Sequence, residues 1–112
     1  MSERANEILI GETQAAFRTA NERLEAAADA IGLTLRIPFI CECPDAACMD
    51  LVSLTLTQYE DVRAHPRRFF TNPGHEQIAQ TAGAAVTVEE HPDYIVVEAV
   101  GDAGNIADAS HA

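Results

Sequence analysis

Over the first thirty residues the apolar positions recur at helical spacing. Ile10, Phe17, Leu24 and Ile31 fall every seven residues, and Thr13, Ala20 and Ala27 follow the first three of them by three positions. This a/d-like stripe predicts one long helix over residues 2–31. Ser2 can cap it, Glu3 lies in the first turn where the helix dipole favours a negative charge, and Gly32 supplies the stop. The stripe has two uses, packing on the chain's own sheet or pairing with the same helix of a second copy.

Beyond Gly32 the period changes. Leu33 to Ile40 is an apolar, β-branched run broken by Pro38, which predicts a short edge strand. Residues 41–50, with Pro44, Asp45 and Asp50, read as a knuckle. Leu51 to Leu56 alternates, with Val52, Leu54 and Leu56 on one face, and predicts a second strand. Thr57-Gln58-Tyr59-Glu60 has the form of a capping box, so a short helix should follow to about Ala64, closed by Pro66. Phe69 and Phe70 begin another short strand, and Asn72-Pro73-Gly74-His75 is a turn. Residues 76–83 are ambiguous by pattern. Ala85–Glu90 and Tyr94–Val100 predict a hairpin joined at His91-Pro92-Asp93. From Gly101 the chain is small, polar and acidic, and residues 101–112 are expected to form a flexible tail. The sum is a single α+β domain: a long N-terminal helix on a small, mainly antiparallel sheet, with a metal-stapled unit over residues 33–100.

Composition narrows the classes. The 112 residues suit one domain, 47% of them are hydrophobic, and that fraction can build a core, so disorder throughout is excluded. Seven arginines stand against 18 acidic residues, a formal charge of -11, which argues against nucleic acid as a partner. No apolar run approaches membrane-spanning length. The excess acid is most simply a solvated face; any charged partner it meets would be basic. Rings come only from Phe17, Phe39, Phe69, Phe70, Tyr59 and Tyr94, so the core should be aliphatic and modestly stable, with a metal or a second subunit as an added device. The start, Met1-Ser2-Glu3-Arg4, lacks a basic patch followed by an apolar run, which points to the cytoplasm.

The candidate chemistry lies in the knuckle. Cys41-Glu42-Cys43-Pro44-Asp45-Ala46-Ala47-Cys48 has the spacing C-x-C-x4-C and holds all three cysteines of the chain. An odd number of clustered thiols in a reducing compartment suits metal ligation or redox work better than disulfides. Zinc takes sulfur and imidazole ligands in a tetrahedron, so a fourth ligand is needed. His75, in its Pro-Gly turn, is the first choice and His65 the second; His91 belongs to the hairpin turn and His111 to the tail. A bland alternative is that the cysteines are buried small hydrophobes, but Glu42, Pro44, Asp45 and Asp50 make an unusual core segment. A redox pair in which Cys43 or Cys48 resolves a sulfenic acid is opposed by acidic neighbours, which raise thiol pKa values. A zinc hydrolase would use His75 and Glu76 beside an open metal position, whereas three cysteines and a histidine close the tetrahedron. Arg63, Arg67 and Arg68 form the basic cluster. Pairing with acids such as Glu60 and Asp61 is its simplest use, and a phosphate or carboxylate grip the sharper one.

Phe39-Ile40-Cys41-Glu42-Cys43, Cys48, Leu54-Thr55-Leu56, Tyr59-Glu60, Val62-Arg63, Phe69 and Pro73-Gly74-His75-Glu76 together resemble a family of small uncharacterised bacterial proteins. These pair an F-x-C-E-C-x4-C knuckle with a later P-G-H-E turn. The resemblance spans roughly residues 17–100 and implies Cys41, Cys43, Cys48 and His75 as a ligand set, with no activity attached. The knuckle alone is also similar to the zinc knot that follows the catalytic domain of some protein methyltransferases, but the chain is too short to hold such a domain. The expectation is a non-enzymatic, zinc-stabilised interaction or regulatory module that engages a protein partner or, through its N-terminal helix, a second copy. Its rivals are a thiol redox sensor or zinc-release switch, and a small zinc hydrolase. The spacing does not separate zinc from iron.

Overall fold

The computed structural model describes residues 3–32 and 35–110. The Ser2 cap, the start of the first strand at Leu33 and the tail residue His111 lie outside them. The chain folds as α+β, with a long helix against two small antiparallel sheets.

Helix α1 (Glu3–Ala30) is rich in Ala, Glu and Arg, all good helix formers, and it ends where Gly32 takes a positive φ of 67°. Its buried line is not the heptad seam. Ile10, Gly11, Gln14, Ala15, Arg18, Asn21 and Ala28 face inward. Phe17 is only half-buried, Leu24 is 39% exposed, and Ile31, beyond the helix end, is 76% exposed. The interior stripe is polar in its middle, where Arg18 and Asn21 satisfy the backbone of neighbouring segments. Asn21 donates to the Ile40 carbonyl and accepts from the Ile40 N–H, both at 2.8 Å. Arg18 donates to the carbonyls of Pro66 (2.6 Å) and Ala107 (2.9 Å) and to the Ser110 hydroxyl (2.9 Å).

Strands β1 (Ile37–Ile40) and β2 (Leu51–Leu54) pair antiparallel, with Ile37 opposite Leu54 and Ile40 opposite Leu51. Residues 41–50 are therefore the loop of a β-hairpin. Val52 and Leu54 point into the core as the alternation requires, but Leu56 does not extend the strand. It opens helix α2 (Leu56–Arg63), whose cap is Thr55 rather than Thr57. The Thr55 hydroxyl accepts from the Gln58 N–H (3.1 Å) and the Gln58 side chain accepts from the Thr55 N–H (2.9 Å), so the box is real but starts two residues earlier.

Strands β3 (Arg68–Thr71), β4 (Ala85–Glu90) and β5 (Ile95–Ala99) form the second sheet, in the order β3-β5-β4, all antiparallel, with a bulge between Thr87 and Glu89. A short helix, α3 (Gln77–Thr81), fills the stretch whose pattern was ambiguous. The segment from Gly101 does not fray. It forms helix α4 (Gly101–Ala109), with Ala103, Gly104 and Ala107 buried against its neighbours. Small residues give little burial each, but they let two backbones approach. A Cβ on Gly11 of α1 would stand 2.9 Å from the Ala103 Cα. Alternation along β3 and β5 then divides the interior. Phe70 and Val96 face a cluster with Phe39, Val52, Leu54, Tyr59, Cys41 and Cys43. Phe69, Ile95, Val97 and Ala99 face Ile10 and the alanines of α3 and α4.

Candidate metal centre

The four residues chosen from the sequence come together. The sulfurs of Cys41, Cys43 and Cys48 and a ring nitrogen of His75 all lie within 4.8 Å of one another, and this group can hold a metal ion. Nδ1 of His75 is 3.5 Å from the Cys41 sulfur and 3.7 Å from the Cys48 sulfur. A tetrahedral zinc with Zn–S near 2.3 Å and Zn–N near 2.0–2.1 Å sets sulfur–nitrogen edges of about 3.6 Å, so both distances fit.

Local structure explains the convergence. The β1–β2 hairpin brings Cys41 and Asp50 opposite each other, and the Cys41 N–H donates to the Asp50 carbonyl at 3.1 Å. The loop closes on itself through the Cys48 N–H to Asp45 carbonyl bond (3.0 Å) and the Ala47 N–H to the Asp45 carboxylate (2.9 Å). It docks on β3 through the Glu42 N–H to the Phe70 carbonyl (2.9 Å). The next turn follows at once, with the His75 N–H on the Asn72 carbonyl (3.0 Å) and Gly74 at φ 96°. Glu76, weighed as a base, instead holds this turn: its carboxylate accepts from the Gly74 N–H at 2.7 and 3.1 Å.

The sulfurs sit among amide donors. The Asn72 N–H points at the Cys41 sulfur at 3.3 Å. The backbone N–H groups of Cys43, Asp45 and Asp50 favour negative charge on the sulfurs of Cys41, Cys43 and Cys48 in turn. Each thiol thus meets the amide two residues on, an arrangement that stabilises negative sulfur. The thiol protons are shared unequally. The Cys43 thiol bonds Cys41, and with the Asn72 and Cys43 amides this outweighs burial and lowers the Cys41 pKa. That bond to Cys41, and then burial, push Cys43 far up, and burial raises Cys48. On the far side of the imidazole, His75 Nε2 lies 3.4 Å from the Asp50 carboxylate. A carboxylate there selects the tautomer with hydrogen on Nε2, leaving the Nδ1 lone pair for the cluster.

Glu42, which marked the knuckle as unlikely core, is itself fully buried, as are Cys41 and Cys43. It is answered on every side. Arg63 meets it with two guanidinium nitrogens, one of them at 2.9 Å, Asn21 donates at 2.9 Å, and the Phe70 N–H donates at 3.2 Å. Arg63 is thus paired with Glu42, not with Glu60 or Asp61. Burial works against the Arg63 charge, but Glu42 overcomes it and raises the pKa. Arg67 pairs with Asp108 (2.8 Å), and Arg68 lies 3.3 Å from Glu98 and 3.6 Å from Glu89, so the basic cluster is spent on ion pairs. His65 is exposed behind α2 and outside the cysteine group. His91 stacks on Tyr94 at the hairpin turn. Asn21 and Glu42 are the struts of the knuckle, and its spacing announces neither role. Gln14, Arg18 and Asn21, polar residues at helical spacing on one long helix, were the available signal.

Among the described residues no helix is long and apolar enough to cross a membrane. No protein-family model, curated protein or solved structure matches the chain.

Proposed function

We propose that the protein is a non-enzymatic, zinc-stabilised interaction or regulatory module of the cytoplasm. The observation that carries this reading is the gathering of three sulfurs and one imidazole nitrogen within 4.8 Å, at the junction of a hairpin loop and a distant turn. Cys41, Cys43, Cys48 and His75 supply a complete tetrahedral set, with amide donors around the sulfurs and a carboxylate behind the imidazole. Zinc suits thiolate and imidazole donors together, and a closed shell of four protein ligands is the usual form of a structural site. The ion would join residues far apart in sequence, and its binding free energy would become folding free energy. A reducing compartment keeps the three cysteines free as ligands.

The test is elemental mass spectrometry on untagged protein purified without oxygen, with a thiol titration beside it. About one zinc per chain and three protected thiols are expected from a closed site. Iron in place of zinc would change the metal and keep the site; no metal with three reactive thiols would overturn the reading. His75→Ala is expected to lose both metal and thermal stability. Loss of a catalytic turnover with metal and melt intact would favour a hydrolase instead.

A further inference from the structure

Beyond Ile10, the heptad of α1 is not spent inside the molecule. Thr13, Phe17 and Ala20 are half-buried, Leu24 is 39% exposed and Ala27 is exposed. Leu9, at 55% exposure, and Ala16 widen this open flank of the helix. At 1.5 Å per residue the 28 residues of α1 run about 42 Å, nearly the whole 45 Å length of the molecule. Between Leu9 and Ala27 the flank carries two charged residues, Glu12 and Arg23, both exposed. Neither makes an ion pair among the described residues. On a chain of formal charge -11, this face is neutral. It also carries a preformed hole. Leu9, Glu12, Thr13 and Ala16, spaced i, i+3, i+4 and i+7, line an open groove of about 350 Å³ together with Phe17 and with Ala46 of the knuckle loop. That is the four-residue hole that receives one knob of a facing helix.

The residues of the flank select what faces it. A symmetric parallel pair would set each heptad position against itself, Phe17 on Phe17, Ala20 on Ala20, and Glu12 beside Glu12. A symmetric antiparallel pair sets each large position against a small one, and one register does this throughout. Phe17 meets the partner's Ala20, and Leu24 meets the partner's Thr13, so that Leu24 is the knob that fills the groove. The same register brings Arg23 within one helical turn of the partner's Glu12. Size and charge are thus both answered by the chain's own sequence read backwards. We propose that α1 pairs antiparallel with α1 of a second copy, the two-fold axis crossing the helix near residues 18–19. This rests on the interaction half of the proposed function, whose partner it names, and not on the metal, since no seam residue belongs to the cysteine–histidine group.

The test is sedimentation equilibrium of the untagged full chain, with zinc measured on the same sample. Twice the chain mass is expected, with a dissociation constant of about 10 µM or tighter. Leu24→Glu puts a carboxylate into the seam of each copy and should weaken association about a hundredfold. Leu24 lies at the surface of the single chain, so the melt and zinc content of this variant should hold. Glu12→Arg alone and Arg23→Glu alone should each weaken the dimer about tenfold, through like charges brought together, and the two combined should restore it. A chain still monomeric at about 200 µM would overturn the proposal. So would a dimer indifferent to Leu24→Glu, or charge variants that fail to rescue each other. A zinc-loaded monomer would overturn the dimer and keep the metal; a zinc-free dimer would keep the dimer and overturn the metal.

Discussion

The two faces of the β3-β5-β4 sheet are built in opposite ways. On one, three rings do the packing: Phe39 stacks on Tyr59 at 4.4 Å, and Phe70 meets both edge-on at 6.1 and 6.0 Å. On the other, alanines of β4, β5, α3 and α4 lie against Ile10, Phe69 and Val97. The ring-lined face is covered by α2 and a two-stranded hairpin, a unit too small to be stable by itself. The alanine face is covered by two helices that nearly touch. Large side chains over a weak cover call for a crosslink, and the cysteine cluster lies on that side. Small side chains need close backbones instead, and Gly11 supplies that.

Metal removal gives the largest separation of the two. A chelator strong enough to strip zinc should lower the melting temperature by tens of degrees, since loss of several kcal/mol shifts a domain of this size by about 4–8 °C per kcal/mol. Hydrogen exchange should show residues 37–54 opening first while α1 and α4 near Gly11 stay protected. A melt unmoved by chelation would erase the distinction between the faces.

Glu42→Ala comes next. It strands Arg63 beside the rings and should cost about 3–5 kcal/mol by chemical denaturation, as for other broken buried pairs. Replacing both partners, with Glu42→Leu and Arg63→Met, should recover part of that loss. An additive double variant would show that the two charges do not act as a pair.

Gly11→Ala probes the other face. The helix gains about 1 kcal/mol in propensity, but a methyl group 2.9 Å from the Ala103 Cα forces α4 outward, and overpacking costs about 1–3 kcal/mol. A net loss is expected, with metal content unchanged. A more stable Gly11→Ala variant would mean that the α1–α4 approach is looser than described.

The smallest effect is that of Asp50→Asn. Its carboxylate lies on the outer nitrogen of His75, so zinc affinity should fall about tenfold, the low end for such partners, with little change in the fold of the loaded protein. Competition with a chromophoric chelator reads this directly; unchanged affinity would show that the turn alone orients the imidazole.

The gathering of three cysteines and a histidine was legible because spacing and residue type carry it: three cysteines in eight positions leave few other uses, and a Pro-Gly turn marks a rigid histidine. The strands were legible by alternation, apart from their ends. Two features were not. The heptad of α1 was read by apolarity, yet the inward line carries Gln14, Arg18 and Asn21, and the carbonyls that Arg18 and Asn21 meet are backbone groups that no pattern of side chains announces. The α4 segment looked too small and polar to pack, and its value lies in what it lacks, since Ala103 and Gly104 permit an approach that larger residues would block. Glu42 marked the knuckle as an unusual core segment, and its burial was not legible because its partner Arg63 stands 21 positions away.

Arg18 also sets the order in which the molecule can be completed. Its acceptors lie 48, 89 and 92 positions further along, at Pro66, Ala107 and Ser110. A ribosome delivers α1 first, so the guanidinium must wait, hydrated, until nearly all the described chain has emerged. Contacts of such long range close slowly. The hairpin and its thiols emerge well before that latch shuts, and so the half of the domain that carries the cysteine cluster can bring Cys41, Cys43, Cys48 and His75 together while the helical half is still open.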